Sequence, residues 1–228
     1  MTGSGLLRGL VLSLLALAGP LRAGDASVEA KALESNPPQA LVAEYTVRDA
    51  RGERTLVLVR DAERVEYRIQ DEPIQLWRQT ADGIAHLELF PQERRSIAYA
   101  PGDLRTLDRV PQWTRLTGLI DPALLMRLRR TGSGHAFDEV VAHHRGDDAK
   151  GDKVALDWLE TDALPAYFRS GAGDTAYVLR LHKLQRIRAD AAFTSTADYR
   201  ELDYADLGDM ELDPFVAGYL RRHGHAEH

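Results

Sequence analysis

The 228-residue chain contains no cysteine. It can therefore form no disulfide, offers no thiol nucleophile, and cannot carry the N-terminal lipid of a bacterial lipoprotein, which is attached to a cysteine. It also lacks an apolar run of the roughly 20 residues that a membrane-spanning helix needs. Positive charge is not in excess either, because the formal net charge is -6. A net acidic surface argues against nucleic acid as a partner and against electrostatic adhesion to anionic lipid headgroups. Repeats, low-complexity stretches and a linker between compositionally distinct halves are absent as well.

The first 23 residues have an order of their own. Arg8 precedes an apolar run from Leu10 to Ala18, then a Gly19-Pro20 break, then Leu21-Arg22-Ala23 before the polar Gly24-Asp25. A positive end, a short apolar core and a small residue at the exit describe a secretory signal peptide over residues 1 to 23. The expectation is a soluble periplasmic protein starting near Gly24, with no stable membrane insertion after cleavage. Loss of Arg8 and Arg22, with no acid lost, takes the charge from -6 to -8. Residues 24 to 228 suit one domain.

Residues 26 to 35 read as a short helix ended by Asn36-Pro37-Pro38. The period then changes to two. Leu41 to Val47, Thr55 to Val59, Val65 to Ile69, Ile74 to Gln79, Ile84 to Phe90 and Ser96 to Ala100 alternate or run apolar, separated by Asp49-Ala50-Arg51-Gly52, Asp71-Glu72-Pro73, Asp82-Gly83 and Pro91 to Arg94. Six short strands joined by short turns predict an antiparallel meander. Pro101-Gly102-Asp103 ends it, and the spacing to Arg130 is helical. In "DPALLMRLRR", Asp121 is an N-cap and Pro122 the first helical residue. Arg127, Arg129 and Arg130 suit the C-terminal end, and "TGSG" (131 to 134) closes it. Further strands are expected at Phe137 to His144, Val154 to Leu159, Tyr177 to Leu184 and near Tyr199 to Tyr204. The fold class is α+β: a large antiparallel sheet interrupted by a helical insertion, with a C-terminal helix.

The acids Glu201, Asp203, Asp206, Asp209, Glu211 and Asp213 invite a calcium reading. Their spacing lacks the alternating ligands, central glycine and distant glutamate of a helix-loop-helix calcium loop. The plainer reading has Asp213 capping a helix that Pro214 opens, with Phe215, Val216, Tyr219 and Leu220 on one apolar stripe and Arg221 and Arg222 at its end. Glu201, Asp203 and Asp206 are then outward positions of a strand and its turn. His223, His225 and His228 lie at a terminus without fixed geometry, and the strand neighbours His143 and His144 point to opposite faces, so neither group predicts a metal site. Ser133 and His135 in "TGSGH" lack a nucleophile elbow, and "GAGD" (171 to 174) reads as a hairpin loop rather than a phosphate cradle. No catalytic residue and no metal ligand is assigned, and the chain is read as a non-enzyme.

Four stretches resemble the LolA/LolB-like periplasmic lipoprotein-carrier superfamily. "LVLVRDAERVEYRI" (56 to 69) is similar to its strand-turn-strand, and "LWRQTADGIAHLELFPQERRSIAY" (76 to 99) to the strands that follow. "DPALLMRL" (121 to 128) is similar to the helix interrupting the sheet, and "VALDWLETDALP" (154 to 165) to a later strand with its tryptophan and Leu-Pro exit. Where the carriers have an Arg-Pro turn after the second strand, this chain has Arg60-Asp61. The resemblance implies a half-barrel: a half-open, strongly curved antiparallel sheet with an apolar concave face covered by helices. It implies a lipid, lipoprotein acyl chain or other hydrophobic ligand, no cofactor and no bond chemistry. Tyr45, Leu58, Tyr67, Ile69, Trp77, Leu87 and Trp158 are the large side chains on adjacent strands suited to line such a cavity or to pack a closed core. The alternative is a non-catalytic cell-envelope interaction or assembly protein, with an envelope protein as partner, built on the same scaffold.

Overall fold

The computed structural model describes residues 38 to 223. The expected signal peptide, the helix at 26 to 35, and His225 and His228 lie outside the described residues.

Twelve strands form one open, curved sheet. The meander supplies β1 (Gln39–Asp49), β2 (Gly52–Arg60), β3 (Arg64–Ile69), β4 (Ile74–Thr80), β5 (Gly83–Phe90) and β6 (Arg95–Tyr99), each paired antiparallel to the next. Three short helices follow: α1 (Pro101–Thr106), α2 (Trp113–Gly118) and α3 (Pro122–Arg127). Then come β7 (Arg129–Ala136), β8 (Glu139–Asp147), β9 (Lys153–Leu159), β10 (Leu164–Ser170) and β11 (Tyr177–Arg188), a second antiparallel meander that closes onto β1. The chain ends with α4 (Ala189–Ala192), β12 (Arg200–Asp203), a 3-10 segment (Tyr204–Met210) and α5 (Pro214–His223). The strand order is β12-β6-β5-β4-β3-β2-β1-β11-β10-β9-β8-β7.

Three expectations need correction. The "RRTGSGHA" stretch is not a helix end with its loop: α3 stops at Arg127 and Arg129 to Ala136 is the edge strand β7, paired to β8 through a left-handed Phe137-Asp138 turn. β10 has no counterpart among the expected strands, because Pro165 and the Leu164 exit mask a strand whose register shifts between Pro165 and Tyr167. The sheet is also not wholly antiparallel, since β12 runs parallel to β6.

The curvature follows from what the main core contains. Val65 of β3 and Val141 of β8 belong to one buried apolar cluster, yet six strand steps at about 4.8 Å would hold them roughly 29 Å apart in a flat sheet. The sheet therefore curls around this cluster, and Leu116, Ile120 and Leu128 cover it from the helical insertion. A second inner cluster joins Phe90, Ile97 and Tyr99 to Leu104, Leu207, Val216 and Tyr219, so α1, the 3-10 segment and α5 cover the β5–β6 end. The acidic run behaves as its plain reading predicts. Glu201, Asp203, Asp206 and Asp209 are exposed. The Asp213 carboxylate accepts the Phe215 N–H at 2.9 Å and pairs with Arg95 at 2.7 Å, so it caps α5 and ties it to β6. The arginine and the capping N–H hold its carboxyl below the usual carboxylate range.

Candidate functional site

Cross-strand partners in an antiparallel pair share a face, so register sorts the anticipated ligand-binding residues. Tyr45 pairs with Leu56 and Leu56 with Ile69; Leu58 pairs with Tyr67; Val65 pairs with Trp77. These side chains, with Trp158 from β9, pack in or against the main inner cluster. Leu87 does not join them. It pairs with Leu76 and packs with Leu76 and Leu89 in a separate cluster, on the face that carries Glu66 rather than Tyr67. The sequence does not reveal this, because a strand buried on both faces does not show which apolar set points inward.

Of the six inner residues, four are committed to packing. Tyr45 is 1% exposed and Leu58 is fully buried. The Trp77 ring stacks on His86 at 3.8 Å, and His86 on Tyr99 at 5.3 Å, which turns Trp77 toward the second cluster. Trp158 packs against Gly118 so closely that a Cβ there would lie 3.4 Å from the indole and 3.3 Å from the Ala163 carbonyl. A side chain at Gly118 would thus crowd both neighbours by a few tenths of an ångström.

Tyr67 and Ile69 line something different. With Leu56 they form the floor of a cleft of about 440 Å³, roofed by Val110, Pro111, Leu116 and Leu119, with Gln112, Arg115 and Asp121 also in its lining. Its size falls within the range of about 300–1,000 Å³ usual for small-ligand sites. Leu56 alternates with Leu58, so its place on the floor was readable from the strand period; the roof was not, because it comes from a loop and the end of a six-residue helix.

The roof is held by side chains from β2 and β3. A helix leaves its last carbonyls without partners. Here the Tyr67 phenol donates to the Leu116 carbonyl, and the Arg60 guanidinium donates to the Thr117 carbonyl and to that of Asp162 in the β9–β10 turn. Burial pushes the Tyr67 phenol well above its usual range and pulls the Arg60 guanidinium down, with Asp162 opposing the latter. Arg64 pairs instead with Asp61 at 2.6 Å. Both arginines of the β2–β3 turn therefore brace the structure.

Leu119 is the most informative residue of the roof. It ends α2 with φ 61°, and its N–H donates to the Arg115 carbonyl at 2.9 Å. This left-handed position after a helix is usually occupied by glycine, and a side chain there costs about 1–2 kcal/mol. Glycine would relieve that strain but would remove the side chain that closes the cleft. Seven non-glycine residues among those described have positive φ, and of these Leu119 lines the cleft.

The cleft lining holds one guanidinium, Arg115, and one carboxylate, Asp121, which accepts the Ala123 N–H at 2.8 Å as the cap of α3; no group of three acidic or histidine side chains able to hold a metal occurs among the described residues. None of their helices is long and apolar enough to cross a membrane.

No protein-family profile matches the chain, and no curated protein matches it by sequence. Solved structures do resemble it. An uncharacterized conserved protein from Thermus thermophilus aligns over 78% of this chain and 98% of its own, at 12% identity and a TM-score of 0.46. The MucA/MucB complex of Pseudomonas aeruginosa contains a chain aligned over 78% of this one and 64% of its own, at 13% identity and a TM-score of 0.43. A LolA superfamily protein from Nitrosomonas europaea aligns over 72% of this chain and 92% of its own, at 13% identity and a TM-score of 0.26. The LolA-like resemblance read in the sequence thus recurs among solved structures, at a level of similarity that carries no argument about function.

Proposed function

We propose that this protein is a non-catalytic periplasmic binding protein or carrier that holds an acyl chain or comparable apolar group in the cleft between β2–β3 and α2. One observation carries the reading: an open cleft of about 440 Å³ walled mainly by apolar side chains, one of them the left-handed Leu119. Arg115, which has no acidic partner within 4 Å among the described residues, lies in the same lining and suits the polar end of an amphiphile. Burial of apolar ligand surface supplies the affinity, at about 25 cal/mol per Å² before ordering costs. Export would follow from the leader-like order at residues 8 to 23, with cleavage beside Ala23 and one domain from residue 24 onward.

A second reading, an interaction or assembly protein of the cell envelope on the same scaffold, draws support from the sealing of Tyr45 and Leu58 inside the core, which leaves only part of the inner face to a ligand. Titration with a fluorescent long-chain fatty acid separates the two. Saturable binding that Leu119→Gly weakens supports the carrier; absence of saturable binding supports the interaction protein.

A further inference from the structure

A second cleft, of about 700 Å³, lies beyond the C-terminal end of α3, whose N-cap Asp121 lines the apolar cleft, and is bounded by strands β7 to β10. Its lining contains Arg127, Arg129, Arg145, Lys153 and Arg169 against one acid, Asp147, on a chain whose net charge is -6. Strand register sets the arrangement. Arg129 lies directly opposite Arg145, Arg145 opposite Ala155, and Ala155 opposite Arg169. Three arginines thus occupy one row across four adjacent strands, and the small Ala155 leaves a gap between two of them. Like charges directly opposite each other destabilise a sheet. Acids relieve this only in part: Lys153 pairs with Asp147 at 2.8 Å and Arg145 with Asp157 at 3.3 Å. Among the described residues, Arg127, Arg129 and Arg169 have no acidic partner within 4 Å. Arg169 is also only half-exposed, so it is less hydrated than a free surface arginine.

We infer that this cleft is a binding site for a phosphate-bearing anion, separate from the apolar cleft and independent of what that cleft binds. Guanidinium groups present planar forks of donors that match phosphate oxygens, and a phosphate offers three acceptors and up to about two negative charges to three unpaired arginines. A single carboxylate would leave most of these donors unused. The volume exceeds one phosphate and leaves room for the group that carries it. Charged residues on an exposed edge strand also deter sheet-to-sheet association. That role accounts for Arg129 on β7, but not for Arg169, which lies three strands in from the edge.

The test uses the purified full chain, pyrophosphate as a free phosphate, and vesicles of phosphatidylcholine with or without phosphatidic acid, a phosphate monoester, as headgroup surfaces. Calorimetric titration and vesicle co-sedimentation at low ionic strength should show binding to pyrophosphate, to phosphatidic acid vesicles, or to both, and none to pure phosphatidylcholine vesicles. Pyrophosphate alone identifies a soluble phosphate compound, and phosphatidic acid alone a lipid headgroup. The Arg129→Gln, Arg169→Gln double variant should lose about tenfold or more in affinity while its melting temperature stays equal or rises, because a repulsive row has been thinned. Arg127→Gln, at an exposed helix end, should weaken binding without touching the sheet, and Arg51→Gln on a remote turn should change nothing. Failure of the unmodified protein to bind either probe, or equal binding by the double variant, would overturn the inference.

Discussion

The Tyr67 phenol on β3 donates its hydrogen to the Leu116 carbonyl on α2, so the floor of the apolar cleft holds its roof by a terminal helix carbonyl. Tyr67→Phe keeps the ring and removes this bond. We expect a loss of about 1 kcal/mol in urea unfolding, within the usual range for one hydrogen bond, and faster amide hydrogen exchange in α2. Unchanged exchange there would mean that Arg60 and apolar packing hold the helix without the phenol.

Leu119→Gly separates stability from binding. Removing the side chain from a left-handed position relieves about 1–2 kcal/mol of backbone strain, which offsets much of what the half-buried leucine contributes by packing. The expected result is a stability change within roughly 1 kcal/mol together with weaker binding of a long-chain fatty acid. Leu119→Ala keeps the strain and loses the packing, so it should be the less stable of the two.

His86 gives the molecule an acid sensitivity with a defined window. Burial, with Arg109 as a smaller contributor, lowers its pKa from 6.5 to about 3, and its Nε2 lies 2.6 Å from the Gln75 amide oxygen. Between pH 6.5 and 3 the unfolded chain therefore binds a proton that the folded one refuses. The stability from neutral His86 is complete above pH 6.5 and is lost as pH falls toward 3. Glu88, raised by burial, acts with the opposite sign above pH 4.5 and partly masks this. His86→Gln should flatten the fall in stability across that window in urea titrations, whereas an unchanged slope would mean that the ring is protonated in the folded state.

The acidic run should be indifferent to calcium. A real site at a hundredfold excess over its dissociation constant would add about 2.7 kcal/mol; no rise in melting temperature is expected here. Asp213→Ala should lower the melting temperature, because it removes the cap of α5 and the partner of Arg95. Asp206→Ala and Asp209→Ala, both on exposed positions, should stay within roughly 0.5 kcal/mol. A calcium-dependent stabilisation that disappears in Asp206→Ala would contradict this assignment.

The sequence was informative wherever a local signal fixed the outcome. The first six strands fall within a few residues of their predicted bounds because alternation and turn residues agree, and Asp213-Pro214 marks its helix start by capping chemistry alone. β7 was hidden because "TGSG" carries loop-forming residues; Gly132 and Gly134 are accommodated in the strand by the His143 ring, which a Cβ at Gly134 would approach at 3.2 Å. The site was legible only in part. Tyr67 and Ile69 line the cleft, but the period of a strand cannot distinguish a side chain that lines a cleft from one, such as Leu58, that packs in the core. Leu119 was illegible for a different reason: its distinguishing feature is a backbone angle, and the glycine that usually takes a left-handed position after a helix stands one residue earlier, at 118.

Native mass spectrometry of protein purified from the periplasm of exporting cells, beside an Ile69→Arg variant that places a charge on the cleft floor, tests apolar-ligand binding most directly. The unmodified protein should retain a co-purified lipid or acyl-bearing mass that organic extraction releases, and Ile69→Arg, folded by circular dichroism, should carry none. A ligand-free unmodified protein that also fails to take up added fatty acid, or a variant carrying the same lipid, would contradict the carrier reading.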